Sequence, residues 1–355
     1  MTKNILRRNM GVTALGVALI FRFIFEWWPN FQESVYTGAV FPALRTGQDF
    51  ISIIWFVPGW YVFALICFVW LVWRFPRSGK WRRFGKRLAN FLGGGLALFM
   101  LFFGLQYTDR GFAHRLSLPP TPEKADLQRV YKDVMESANE RRRSIPGIDT
   151  LPHIVALSQI PTDDEITNWV RDEMAKNNYP TAHLSPRIQS IRPRGVLRRL
   201  GISGIYNPFT GEANVDAALP SIQRVFVVAH ELAHAYGVTS EAEANFVAYL
   251  ACLHSGNSVG EYAADYALWR QVASEVTKVY PKEVIEMLAA DIPPELQADR
   301  KAIIEAYFEH RAYFPKVSRQ VNETYLKLQG VKDGVEDYDR FLQLYLAWSS
   351  KPTGN

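Results

Sequence analysis

His230-Glu231-Leu232-Ala233-His234 constrains this chain more than any other stretch. On a helix, the HExxH spacing sets two imidazoles on one face, a turn apart, with a carboxylate beside them; this is the pattern of a zinc site carrying its own general base. The apolar run Val225-Phe226-Val227-Val228-Ala229 leads into the motif as a buried helix does, and Gly237 stands where a left-handed cap ends such a helix. Two histidines fix zinc poorly, and catalytic sites use three protein ligands with the fourth position left to water. The fold therefore has to bring a third ligand onto the histidine face.

Glu241 and Glu243 are the nearest carboxylates after the motif. Two positions apart on one helix, they point roughly 200° from each other and cannot serve one ion. Ser240-Glu241-Ala242-Glu243 fits the capping-box pattern, which gives Glu243 to the backbone of Ser240 and leaves Glu241 for the metal. Ala244 and Asn245 share the Glu241 face. The first permits close packing against the motif helix, and the second is a candidate to hold the free nitrogen of a ligating histidine. Glu231 is placed to take a proton from water rather than to ligate. Tyr206, His183 and His254 are candidates to stabilise an oxyanion, though each such residue is more commonly a packing residue.

The pI of 9.1 invites a nucleic-acid reading, but the excess charge sits at one end. Residues 1–107 carry 12 Lys/Arg against 3 Asp/Glu, and the rest of the chain carries 28 against 32. A nucleic-acid binder places its positive footprint on the folded domain, so that function is excluded. Three apolar stretches, 10–28, 51–73 and 88–107, reach the roughly 20 residues that a membrane-crossing helix needs. The first contains Arg22 and Glu26 at i,i+4 spacing, and Pro58-Gly59 interrupts the second. Basic residues precede the first stretch and crowd the loop from Arg74 to Arg87, which by the positive-inside rule puts the N-terminus in the cytoplasm and everything after residue 107 outside. Cys67 and Cys252 supply no disulfide framework.

Leu118-Pro119-Pro120-Thr121-Pro122 marks a linker, 108–122, ahead of a domain at 123–355. Helical periodicity predicts helices over 123–143 and 163–177, short strands over 188–191, 204–206 and 213–215, and nearly continuous helix from Ser221 onward. Breaks are predicted near Gly256, Pro281, Pro293-Pro294, Pro315 and Gly330 to Gly334. The segment from Tyr206 to Val215 reads either as a strand that pairs with an extended peptide or as a conformationally demanding loop.

HExxH followed by a second helix with Glu241-x-x-x-Asn245 resembles the gluzincin class of metallopeptidases, although the third ligand follows much sooner than in thermolysin. A metzincin pattern would need a ligand at Ser240. Nearly the whole chain is similar to a bacterial membrane family of unknown function, DUF3810. The matching stretches are Gly201-Ile202-Ser203-Gly204-Ile205-Tyr206-Asn207-Pro208-Phe209-Thr210-Gly211-Glu212-Ala213-Asn214-Val215, residues 230–246, and Tyr325-Leu326-Lys327 through Lys332-Asp333-Gly334. The family often has Gln where this chain has Ala235, which leaves the ligand set untouched.

The resemblance implies a membrane-bound, zinc-dependent protein and names no substrate. The expected architecture is mainly α: three N-terminal transmembrane helices, then a predominantly helical, gluzincin-like α+β zinc domain. The expected activity is zinc-dependent hydrolysis of peptide or protein substrates outside the cytoplasm by a multi-pass protein of the bacterial inner membrane. Its ligands would be His230, His234 and Glu241, its base Glu231. The alternative is a metal-binding or interaction module of the cell envelope that hydrolyses nothing. An intramembrane protease is excluded, because Arg224 on one side of the motif and Glu241 and Glu243 on the other leave too short an apolar run.

Overall fold

The computed structural model describes residues 9–52, 57–76, 79, 81–119, 126–145, 160–180, 185–313, 316, 320 and 337–351. It divides into two compact units, one of residues 1–110, 182–187 and 207–212, the other of residues 111–181, 188–206 and 213–355. Helices of nine or more residues are numbered below.

In the first unit, α1 (Met10–Trp27), α2 (Phe41–Ser52), α3 (Gly59–Arg74) and α4 (Trp81–Phe102) are joined in part by a π-helix, Gln32–Val40. The Gly11 N–H of α1 donates to Asn90 Oδ1 of α4 at 2.7 Å, and a methyl group on Gly11 would collide with the Asn90 carbonyl. Absence of side chains there is what lets the two backbones approach so closely. Arg22 and Glu26 pair within α1 at 3.1 Å, as their spacing predicts. The turn between Asn207 and Glu212 also belongs to this unit. The buried Glu212 carboxylate accepts the Gly59 N–H at 2.6 Å, and Gln48 Nε2 donates to the Pro208 carbonyl at 2.7 Å.

The expectation of three membrane spans is corrected here to one: among the described helices, only α1 is both long and apolar enough. The reason is where the helices stop. α3 has 16 residues, about 24 Å of helix against a hydrocarbon core of about 30 Å. α4 has 22 residues, but Arg82, Arg83, Lys86 and Arg87 occupy its first two turns, and the helix ends at Phe102, ahead of a 3-10 turn at Gly104–Thr108. The apolar run 51–73 crosses the start of α3 at Gly59, and the run 88–107 crosses the end of α4 at Phe102.

The second unit contains α5 (Leu127–Ser144), α6 (Asp163–Lys176), α7 (Ser221–Ala235), α8 (Glu241–Leu253), α9 (Ser258–Val279), α10 (Lys282–Ala290), α11 (Pro294–Glu309) and α12 (Asp337–Ser349). It is mainly helical with a small sheet. Local chemistry sets its boundaries. Thr162 and Glu165 form a complete capping box at the start of α6, while Asp126 and Asn257 accept first-turn N–H groups of α5 and α9. The breaks at Gly256, Pro281 and Pro293-Pro294 separate successive helices as the sequence predicts; those at Pro315 and 330–334 lie outside the described residues.

The three strands, β1 (Ile188–Ile191), β2 (Gly204–Asn207) and β3 (Glu212–Asp216), lie in the order β1-β3-β2. β1 runs parallel to β3, with Ile188 opposite Ala213 and Ile191 opposite Asp216. Asp216, fully buried at the end of β3, accepts the N–H groups of Gly195, Leu197, Arg198 and Ala218 at 2.7 to 3.1 Å and fixes the short helix Val196–Arg199 to the sheet.

The stretch read as a linker is partly helical. Phe112–Leu116 is a short helix, and Phe112 is fully buried in the core of the second unit beside Tyr179. That core runs through α7, α8 and α9, with Val228, Leu232, Phe246, Tyr262 and Trp269 all essentially inaccessible.

Candidate metal centre

α7 ends as its sequence requires. Gly237 takes φ +101°, its N–H bonds to the His234 carbonyl at 2.9 Å, and the Val238 N–H bonds to the Ala233 carbonyl at 3.1 Å. These two bonds form a Schellman cap, which needs a residue without Cβ strain at its left-handed position. The cap turns the Val238 carbonyl back onto the helix, 2.7 Å from His234 Nδ1. A carbonyl only accepts, so in the neutral ring the proton is on Nδ1 and the lone pair on Nε2.

Ser240 opens the next helix, its hydroxyl accepting the Glu243 N–H at 3.3 Å. Glu241 is then the first residue of α8 and faces back to α7: one carboxylate oxygen lies 3.2 Å from His230 Nε2 and the other 3.7 Å from His234 Nε2. The two Nε2 atoms are 3.1 Å apart and the rings stand at 89°. A cation with ligands at about 2.05 Å in tetrahedral array has ligand-to-ligand edges of about 3.3 Å. The three observed separations bracket that value, so the residues fit such an ion.

Glu231 lies on the same helix, 4 % exposed. A methyl group at Gly204 of β2 would collide with its carboxylate, and the Tyr206 N–H of the same strand donates to it. Burial pushes the Glu231 pKa up to about 7, against the pull of His230 and His234. Burial opposes charge on His234, but the hydrogen bond and charge of Glu241 and the charge of Glu231 outweigh it and carry its pKa up to about 9. Burial likewise opposes charge on Glu241, whose hydrogen bonds to both histidines hold it well below the usual carboxylate range. Acceptors dominate the cluster, and the groups raised in pKa are those that take up a proton where a cation would otherwise balance them.

The other residues singled out in the sequence are dispersed. Glu243 faces away from the cluster, and its carboxylate accepts the N–H groups of Phe112 and Ala113, both at 3.0 Å. The carboxylate thereby caps a helix 130 residues earlier in the chain, while at Ser240 it is the Glu243 backbone N–H that bonds to the hydroxyl. Asn245 does not hold the second nitrogen of either motif histidine: the Val238 carbonyl takes His234 Nδ1, and His230 Nδ1 is buried with no hydrogen-bond partner among the described residues. The Schellman geometry anchored by Gly237 is the sequence signal that would have pointed to Val238. His254 stands past the far end of α8, its Nδ1 2.8 Å from Glu173, which is a structural pairing. Tyr206 lies on β2 against Glu231, and His183 is outside the described residues. Gly204, whose bare backbone makes room for Glu231, carries no local sequence signal of that role.

No curated protein and no solved structure matches the chain. One family profile does, described as a protein of unknown function (DUF3810), over residues 22–346, a span that takes in α7, α8 and every residue of the cluster. The chain therefore belongs to the DUF3810 family.

Proposed function

We propose that this chain is a membrane-anchored zinc peptidase that hydrolyses peptide bonds outside the cytoplasm. One observation carries the reading: the His230, His234 and Glu241 donor atoms, all within 4.8 Å of one another, converge beside a buried carboxylate on the same helix. His230, His234 and Glu241 would hold the ion. When bound, zinc polarises a scissile carbonyl and makes water more acidic. Glu231, fixed by the Tyr206 N–H and confined against Gly204, takes the proton of the attacking water and returns it to the leaving nitrogen. β2 is an edge strand, and its outer side faces Glu231, so an extended peptide pairing there would lie along the site.

α1 supplies the anchor. A single apolar helix near an N-terminus also suits a signal sequence, but the close packing of α1 on α4 favours a retained one. Lys3, Arg7 and Arg8 ahead of it favour a cytoplasmic start and a catalytic unit on the other side.

The test is metal analysis of the full-length protein together with hydrolysis of a peptide library by the parent and by Glu231→Gln. The variant retains zinc and loses at least about 10²-fold in rate, the lower end for a positioned acid-base residue. Equal rates would remove Glu231 from the mechanism. A parent that holds zinc and cleaves nothing would favour a metal-binding module of the envelope.

A further inference from the structure

The second unit also contains a cavity of about 600 Å³ among α5, α9, α10 and α11, within the usual range of small-molecule sites. None of His230, Glu231, His234 and Glu241 lines it. Its walls are mostly aliphatic and aromatic, its cations are Arg198, Arg270 and Arg300, and no described carboxylate lines it.

Arg198 is the telling residue. It is 4 % exposed, yet makes no ion pair among the described residues; its polar contact there is a 3.5 Å approach of Nη1 to the Ala218 carbonyl, and its guanidinium lies 5.7 Å from the Tyr307 ring centre. Asp216 and Glu309 attract it through space, but neither carboxylate contacts the guanidinium, and the Asp216 oxygens are engaged by four backbone N–H groups. A guanidinium stays charged at physiological pH, and with only the 3.5 Å approach to Ala218 its remaining N–H donors are free to meet an acidic group in the cavity. The Tyr266 hydroxyl, another wall group, is buried with no hydrogen-bond partner. At the mouth, Ile304, Tyr307 and Phe308 of α11 are 40, 47 and 60 % exposed despite their apolar character.

A small inorganic anion would answer Arg198 and leave the aliphatic walls bare, while a neutral lipid would fill the walls and leave Arg198 unpaired. We infer that the cavity binds an amphipathic anion, a single alkyl chain with an acidic head, the head against Arg198 and the chain between α10 and α11. Such a ligand reaches the protein either as a free fatty acid or as an anionic single-chain lipid.

Binding of tritiated palmitate to the full-length protein in neutral phosphatidylcholine nanodiscs tests this. The parent shows saturable binding, which Arg198→Met weakens by at least about 10-fold, the effect of one charge-assisted contact. Ala273→Trp narrows the space for the chain and weakens it comparably. Arg270→Gln, on the exposed rim, gives a smaller loss in a variant that folds whatever becomes of Arg198→Met. Hexadecanol and inorganic phosphate each compete at least about 10-fold less well than palmitate. Palmitoyl lysophosphatidate identifies the source: stronger competition than palmitate assigns the site to anionic lipids, weaker competition to free fatty acids, and both outcomes uphold the ligand class. Unchanged binding in all three variants, or equal competition by hexadecanol or phosphate, overturns the inference. Glu231→Gln binds palmitate as the parent does.

Discussion

Around Asp299, a carboxylate 3 % exposed meets Arg142 Nε at 2.6 Å and the Tyr262 hydroxyl at 2.8 Å, tying α5, α9 and α11 together. Around Glu231, at a similar depth, the neighbours of one acid are a second acid and two imidazoles whose Nε2 atoms are 3.1 Å apart. The first group is electrically complete: an acid, a base and a hydroxyl each find an opposite. The second gathers lone pairs toward a common point. Burial alone does not separate a structural polar cluster from a functional one; whether the charges cancel within the protein does.

The largest expected effect tests the complete cluster. Arg142→Ala strands the Asp299 carboxylate, and unfolding by denaturant should show a loss of about 3–5 kcal/mol, while zinc affinity in the surviving folded protein stays at the parent value. A loss below about 1 kcal/mol would mean that the Asp299 cluster is not the structural counterpart it is taken for.

Next comes Glu241→Ala in the convergent cluster. Zinc affinity, measured against a competing chelator, should fall by more than about 100-fold, beyond the 10- to 100-fold cost of losing an outer partner of a ligand. Retention of full affinity would remove Glu241 from the ligand set. Gly237→Ala is a subtler intervention. It forces a Cβ into a left-handed position and shifts the Val238 carbonyl from His234, so stability should fall by about 1–3 kcal/mol and zinc affinity by about 10-fold. Stability lost with affinity intact would show that the Schellman cap serves the helix alone.

Glu243→Ala sets the lower end of the scale. Its carboxylate caps Phe112–Leu116, so about 1 kcal/mol of stability is lost and zinc affinity does not change. The pair Glu241→Ala and Glu243→Ala thus separates ligand from cap two residues apart, and a reversed order of affinities would exchange their roles.

What could be read in the sequence was what depends on near neighbours. The motif helix with its end at Gly237, the helix opened by Ser240, the three strands and most proline breaks all follow from spacing, capping and φ preferences over a few residues. Glu243 shows the limit. The capping-box pattern assigns its carboxylate to Ser240, whereas the structure sets that carboxylate on Phe112 and Ala113, which no periodicity connects to it. Gly204 and Glu231 are likewise brought together only by the sheet. The membrane segments differ for the opposite reason, since apolar content is local but the helix start at Gly59 and the helix end at Phe102 are boundaries that a running count ignores.

The Schellman turn at Gly237 has a bearing on the order in which the centre comes into being. It joins two helices so tightly that every donor of the His230, His234 and Glu241 cluster, and the carbonyl behind His234, falls within about a dozen residues of chain, a loop whose closure costs little entropy. Local contacts of this kind form early in folding. The support for Glu231 arrives differently, from Gly204 and Tyr206 on a strand that must first be ordered by parallel pairing of β1 with β3. On the proposed function, a nascent chain would capture a cation before it possesses a positioned base, and hydrolytic competence would be a property of the finished sheet rather than of the motif.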